Sequence, residues 1–341
     1  MTFEDRVKAV AAEKFGRPKR GFSSREAQFL ALVLLHAGVC MKRQYLTLHR
    51  TAYGQIVQDF FRRLVTDGLA TPYAAMHGKA RVYHVHHRRL YAAIGEPHSR
   101  LRKPVAVGRA MERLMVLDAV LEHRDATWLA TEDEKLAYFT QLLGTGLPRD
   151  WLPHVTFGSG PTLVRRFFAE RLPIGVEDDG RMHTFVYLVT GASPIDLRAF
   201  LHNYAELLRG LPAWRLRVLL PPHLSGLEHA CRVACQQELA TPLRPALIEE
   251  VQWYFEQRLT LVRDGTRPTG PDVARYERAS RAFASPRYVA LYRAWRRHGV
   301  RILHAASSPT LADALERRLG RLECGVLAQP YLHLSNLVGT A

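Results

Sequence analysis

An α+β chain is predicted from three features of its 341 residues. Apolar residues recur at helical spacing behind a capping signal at Ser23, and an alternating run at Arg81 to His86 follows a polar turn. From about His154, β-rich segments alternate with helical ones before helices take over. An N-terminal helix-turn-helix unit with a β-hairpin is therefore expected ahead of a mixed α/β domain and a helical C-terminal region. The expected boundaries are 1–104 for the first unit, 105–150 for a helical linker or dimerisation segment, and 151–341 for the remainder.

Ser23-Ser24-Arg25-Glu26 sets a serine three residues before a glutamate, the reciprocal pattern of a capping box. A helix is expected from there to about His36, with Phe29, Leu30, Val33, Leu34 and Ala37 at helical spacing. Gly38 supplies a left-handed exit. Met41 to Leu48 fits a second, short helix. Thr51 is expected to cap a third, whose inner stripe is Ile56, Phe60 and Leu64. Asp67-Gly68 then stops it. Leu69 to Tyr73, a polar turn at His77-Gly78-Lys79, and Arg81 to His86 complete a two-stranded hairpin.

Three helices and a basic hairpin in this order constitute a winged helix-turn-helix, with the third helix offered to a major groove and the hairpin as the wing. Lys42, Arg43, Arg50, Thr51, Tyr53, Gln55, Gln58, Arg62, Lys79 and Arg81 are the candidate DNA-binding residues, reaching phosphates or base edges. Charge points the same way. Through Val105 there are 19 lysines and arginines against 7 acidic residues, a balance of +12, which leaves +4 for the rest of a chain whose total is +16. Such segregation fits a phosphate-binding surface better than a generally basic solvated one.

With "LVTDGLA" before the wing and "RVYHVHHRRLYAAIG" after its tip, this segment resembles winged-helix DNA-binding proteins of bacterial mobile elements, including the replication-relaxation group. The resemblance covers the first third of the chain. It implies DNA binding and leaves the task open, because a winged helix can also serve as a protein-interaction module.

Composition bounds the rest. The 47% hydrophobic and 23% charged content is that of a globular protein, and no apolar run approaches a membrane span. Met1 to Lys14 lacks a signal-peptide core, so a cytoplasmic location is expected. Four scattered cysteines, Cys40, Cys231, Cys235 and Cys324, are too few for a disulfide framework and are read as reduced.

Val107 to Leu121 reads as a strong helix that links, dimerises or packs within the chain. Thr131-Glu132-Asp133-Glu134 starts a further helix through Leu143, broken at Gly144 to Pro148. A β-α-β unit follows: a strand at His183 to Thr190, a helix capped by Ser193 or Asp196 through Leu208, and a strand at Trp214 to Leu220. Helices are then expected at Leu224 to Leu239, Ala246 to Leu261, Pro271 to Phe283, Ser285 to His298 and Pro309 to Leu319.

The segment from Gly175 to Pro222 loosely resembles the middle of restriction-endonuclease-like domains. Glu177, Asp178 and Asp179 could supply a first metal-binding carboxylate, but the strand Thr184 to Val189 offers neither acid nor lysine, so a degenerate fold for binding or dimerisation is what the resemblance implies, and an unrelated sheet behind an acidic turn stands beside it. His84-Val85-His86 matches the His-hydrophobe-His pattern of metal-dependent nickases. No third ligand or following tyrosine can be assigned, so a structural or phosphate-contacting role is expected. His229, Cys231 and Cys235 lack a fourth zinc ligand, and the two cysteines read as buried helical thiols. Gly158-Ser159-Gly160 is a turn.

No catalytic residue, metal or cofactor is assigned. The expectation is a sequence-specific double-stranded DNA-binding protein, a transcriptional regulator or a replication or transfer accessory factor, acting as a homodimer away from membranes. A metal-dependent DNA-cleaving enzyme and a ligand-sensing transcription factor are the alternatives, distinguished by strand breakage and by ligand-shifted DNA affinity.

Overall fold

The computed structural model describes residues 1–74, 81–123, 125–158, 162–170, 172–266, 268–329 and 331. It is mixed α+β with a helical C-terminal region and divides into two units. The first comprises Met1–Thr131, Leu172–Glu177 and Leu327–Ala341, and the second comprises Glu132–Arg171 and Asp178–Val326.

The first unit opens on a helix with no counterpart in the sequence expectations, α1 (Phe3–Ala12), started by a reciprocal cap between Thr2 and Asp5. It packs on α2 (Ser24–His36). At the start of α2 the Ser23 amide donates to Glu26 Oε2 at 2.8 Å and the Glu26 amide to Ser23 Oγ at 3.3 Å, the expected capping box. Gly38 ends this stretch at φ +68°, and a Cβ there would sit 2.6 Å from the Leu101 carbonyl oxygen. The position therefore demands glycine on two grounds.

A short strand, β1 (Val39–Cys40), leads into α3 (Lys42–His49) and α4 (Gln55–Thr66). The third helix differs from expectation at its first turn. Its N-cap is Gly54 rather than Thr51, and the buried stripe is Val57, Phe60, Phe61 and Leu64. At about 100° per residue, Ile56 lies about 90° from the centre of that stripe, and it is 78% exposed.

Strands β2 (Ala70–Ala74) and β3 (Arg81–Val85) pair antiparallel, with Ala70 opposite Val85 and Ala74 opposite Arg81. The turn expected at His77-Gly78-Lys79 lies outside the described residues. β1 pairs with the far edge of β3, which gives a three-stranded sheet in the order β1-β3-β2. Rings of Phe29, Tyr45, Phe60, Phe61 and Tyr83 meet edge-on or tilted between the helices and this sheet. Such a core locks the orientation of α4.

The chain continues through α5 (Arg88–Ala93) to α6 (Val107–Glu122), which packs on α2, α3 and β1. Leu114, Met115, Leu117, Ala119, Val120 and Leu121 of α6 are all buried, so the helix is used inside the protein. A short strand, β4 (Thr127–Leu129), follows.

In the second unit, α7 (Glu132–Leu143) precedes an antiparallel pair, β5 (His154–Phe157) and β6 (Val164–Phe167). The next strand, β7 (Ile174–Glu177), belongs to the first unit and pairs antiparallel with β4. The expected β-α-β unit is present as β8 (Met182–Leu188), α8 (Ile195–Gly210) and β9 (Ala213–Leu220), with the two strands parallel. Neither Ser193 nor Asp196 caps α8, whose N-cap is Pro194.

One helix was expected over Leu224 to Leu239. The chain instead forms a 3-10 segment, then α9 (Glu228–Cys235), then a π-helical turn at Gln236–Ala240. Helices α10 (Ile248–Asp264), α11 (Pro271–Ala282), α12 (Pro286–His298) and α13 (Arg301–Ser307) share a core that includes Val251, Phe255, Phe283, Leu291 and Leu303. The last expected helix is shorter, α14 (Thr310–Glu316). β10 (Gly320–Val326) then returns parallel to β9. Among the described residues no helix is long and apolar enough to cross a membrane.

Candidate nucleic-acid interface

Helix α3 is anchored from below, which leaves its first residue on the surface. The buried Gln44 side chain accepts from the Met41 amide at 2.9 Å and donates to the Leu114 carbonyl at 3.0 Å and to Asp118 Oδ1 at 2.8 Å. Tyr45 and Leu48 complete the inner face. Lys42, one residue into the helix, points along the surface instead. Its ammonium donates to the Tyr53 hydroxyl at 3.1 Å and lies 5.4 Å from that ring's centre.

The connection between α3 and α4 runs fully in solvent. Arg50 ends α3 in a left-handed conformation and is exposed, as are Thr51, Ala52, Tyr53 and Gly54. The N-cap of α4 is Gly54, which has no side chain to bond the first amides of the helix. The start of a helix carries partial positive charge, which favours an anionic ligand there.

The outer face of α4 carries Gln55, Ile56, Asp59 and Arg62, with Gln58 half-buried. Asp59 Oδ1 accepts from Gln55 at 2.8 Å and from Arg62 at 2.7 Å. Both bonds lie in water, where such pairs are weak and easily exchanged for a ligand. Beside this face Lys42, Gln58, Arg62, Thr66, Arg81 and Tyr83 line much of a cleft of about 240 Å³. Among the described residues, three cations and no acid line it. Arg81 starts β3 and is exposed, while burial pushes the Tyr83 phenol up and keeps it neutral.

The candidate residues therefore separate. Lys42, Tyr53, Gln55, Gln58, Arg62 and Arg81 gather on and beside the exposed face of α4, with Arg50 and Thr51 in the connection leading to it. Lys79 lies outside the described residues. Arg43 turns inward: its guanidinium grips both oxygens of Asp118, at 2.8 and 2.6 Å, and stacks 5.4 Å from the Tyr331 ring centre. It is committed to the protein's own fold, so it is withdrawn from the phosphate-contacting set. Arg63 is likewise turned away, packed 4.6 Å from the Phe22 ring centre and paired with Glu26 at 3.1 Å. The exposed apolar side chain of Ile56 was missed by sequence reasoning, which assigned it to the core. Its offset from the Val57-Phe61 stripe was the signal available.

The side chains that could suggest a metal site make the following contacts. His84 is buried and its Nε2 lies 3.0 Å from the Leu101 carbonyl, so that nitrogen donates to it. Burial pulls its pKa down and keeps the ring neutral. His86 Nε2 meets Thr71 Oγ1 at 2.9 Å. Asp178 and Asp179 adopt left-handed backbone in a tight turn, at φ 51° and 52°. Cys231 and Cys235 are buried thiols, with Cys235 pushed up to about 12 by burial. Cys324 from β10 comes alongside α9, its sulfur 3.9 Å from the Glu228 carbonyl. Among the described residues no group of three histidine, cysteine or carboxylate side chains is arranged to hold a metal ion. Gly158 sits in left-handed backbone, as a turn residue would; Ser159 and Gly160 lie outside the described residues.

The second unit holds a buried ionic centre that no local sequence pattern announces. The π-helical turn after α9 directs Glu238 to Arg198 of α8, with Gln237 accepting from the same guanidinium at 2.6 Å. His202 Nε2 and Arg287 Nε approach Glu238 at 3.4 and 3.6 Å. The carboxylate is thus surrounded by cationic and imidazole groups inside the protein, although Arg198 Nε and His202 Nε2 make no hydrogen bond there.

No protein-family model, no curated protein and no solved structure matches this chain.

Proposed function

We propose that the first unit is a winged helix that binds double-stranded DNA, with α4 as the recognition helix in the major groove and β2–β3 as the wing. The observation that carries this reading is the cleft between α4 and β3, lined among the described residues by Lys42, Arg62 and Arg81 with no acidic side chain, beside a helix whose outer face is solvent-exposed and whose N-cap is a glycine. A polyanion with a groove wide enough for a helix answers all three features. The +12 balance of the N-terminal third and the resemblance to winged-helix proteins of mobile elements support the same choice.

In this reading Gln55 and Gln58 meet base edges, while Lys42, Arg62 and Arg81 hold phosphates. One helix reads few base pairs, so a second copy, giving two half-sites, belongs to the proposal. The role is regulation of transcription, or assistance in replication or transfer of a mobile element.

The test is a titration of the full-length protein with duplex DNA at two salt concentrations, alongside its mass in solution. Several phosphate contacts predict an affinity loss of about 10³-fold or more between about 50 and 200 mM salt. A salt-insensitive interaction, or none, would remove the reading.

A further inference from the structure

Ile56 is the most exposed of the large apolar side chains among the described residues, and it lies on the helical face assigned above to DNA. Isolated surface isoleucines are common and need no explanation. This one differs in its surroundings. It occupies the second position of α4, directly after the exposed Gly54 and Gln55 and close in sequence to Tyr53, which is 54% exposed and tethered to Lys42. The neighbouring cleft is cationic. Its side chain branches at Cβ and so is held near one rotamer on a helix, which makes its methyl groups a fixed rather than a sweeping feature.

A ligand covering this face must offer negative charge widely and an apolar spot locally. The major groove of duplex DNA has one group of that kind, the 5-methyl of thymine, set among hydrogen-bonding base edges and flanked by phosphates. We infer that Ile56 is a specificity-determining residue that packs on a thymine methyl, so the preferred site contains a thymine at a fixed position beneath the first turn of α4. Gln55, one residue before, then reads a neighbouring base edge. This inference rests on the DNA-binding reading and adds the base type to it.

The test begins with duplexes selected from a random pool by the full-length protein. Each thymine of the selected site is replaced singly by deoxyuridine, which removes the methyl and keeps the base pairing. At one or two positions the replacement is expected to weaken binding about three- to fivefold, the worth of one buried methyl group. Ile56→Ala should weaken binding to the thymine site by a similar or larger factor and be indifferent to deoxyuridine there, whereas Ile56→Val should retain most of the discrimination. Because the side chain is exposed, the variants should melt with the wild type.

Tight, selective duplex binding that ignores deoxyuridine at every position would overturn the inference and leave the DNA reading intact. So would an Ile56→Ala variant that changes the mass in solution but not DNA binding, which would make Ile56 a contact between protein copies. Absence of duplex binding even at low salt would instead overturn the reading on which the inference rests, and the inference with it.

Discussion

Asp118 on α6 receives the Arg43 guanidinium through two bonds, at 2.8 and 2.6 Å, and the Tyr331 hydroxyl donates to the same carboxylate. Burial, and then the Asp118 charge, pushes the Tyr331 phenol far above its usual range, so it remains a donor. Gln44 adds a third contact from the neighbouring residue of α3. The first turn of α3 is thus held by a carboxylate at its back, while Lys42 stays on the outer surface. Two adjacent cations have opposite roles.

Replacing Asp118 with alanine should cost about 3–5 kcal/mol of stability, because Arg43 would keep its charge in a half-buried site with no carboxylate to meet it. Lys42→Ala should leave stability within about 0.5 kcal/mol of wild type. Chemical denaturation of the two variants checks the contrast. An Asp118→Ala variant as stable as wild type would show that the pair does not hold α3.

Alanine at Lys42, Arg62 or Arg81 should weaken binding to all duplexes alike and reduce the salt slope by about 0.9 for each phosphate contact removed. Gln55→Ala or Gln58→Ala should instead relax preference at one or two base pairs, at about 1–3 kcal/mol for a lost bidentate contact. Binding isotherms on specific and random duplexes separate the outcomes. Equal effects of all five substitutions on both kinds of DNA would sink the docking proposed for α4.

Acid should destabilise the second unit. Burial is the first cause lowering the pKa of His183 and His202, and also that of His298, which falls to about 4 with Arg301 and His154 adding to the effect. Each ring takes up a proton more readily unfolded than folded. Their contribution to stability is complete above the unfolded value of about 6.5 and is lost as pH falls from there toward the folded values, for His298 about 4. Melting curves between pH 7.5 and about 4.5 should show a progressive fall that is shallower in His298→Gln. An unchanged slope in that variant would exclude His298 as a source.

Purified protein mixed with supercoiled, linear and single-stranded DNA in magnesium or manganese should leave every strand intact. His84 Nε2 meets the Leu101 carbonyl and His86 Nε2 meets Thr71 Oγ1, so a metal at those nitrogens would have to displace both contacts. Reproducible nicking, abolished by His86→Ala or Asp179→Ala, would restore the enzyme alternative.

Much of this arrangement was legible in the sequence where its cause is local. The Ser23–Glu26 cap, the breaks at Gly38 and Gly68, and the β8-α8-β9 alternation each arise from residues a few positions apart. What escaped has distant causes. Arg43 and Lys42 are indistinguishable cations until Asp118, 75 residues beyond Arg43, draws one of them inward. Strand β1 has two residues and exists because β3 is there to pair with it, and Glu238 becomes the centre of an ionic cluster only when α8 arrives beside it. Ile56 is the intermediate case: its angular offset from Val57, Phe60, Phe61 and Leu64 is local, but which stripe faces inward is decided by the packing of those residues in the unit.

The parallel pairing of β10 with β9 also governs when the second unit can become stable. Gly320 meets Trp214, so the two strands join only after roughly a hundred intervening residues have been gathered in, a separation that slows folding even where it costs modest closure entropy. Until then β9 presents an open edge beside Trp214, Leu216, Val218 and Leu220, side chains that are buried in the finished protein. An unpaired edge next to such residues is a template for strands of other chains. A nascent or proteolysed form lacking Gly320–Val326 would accordingly be prone to pair with other chains along β9, whereas the finished sheet ends on β10, which carries Arg321 and Glu323 along its length.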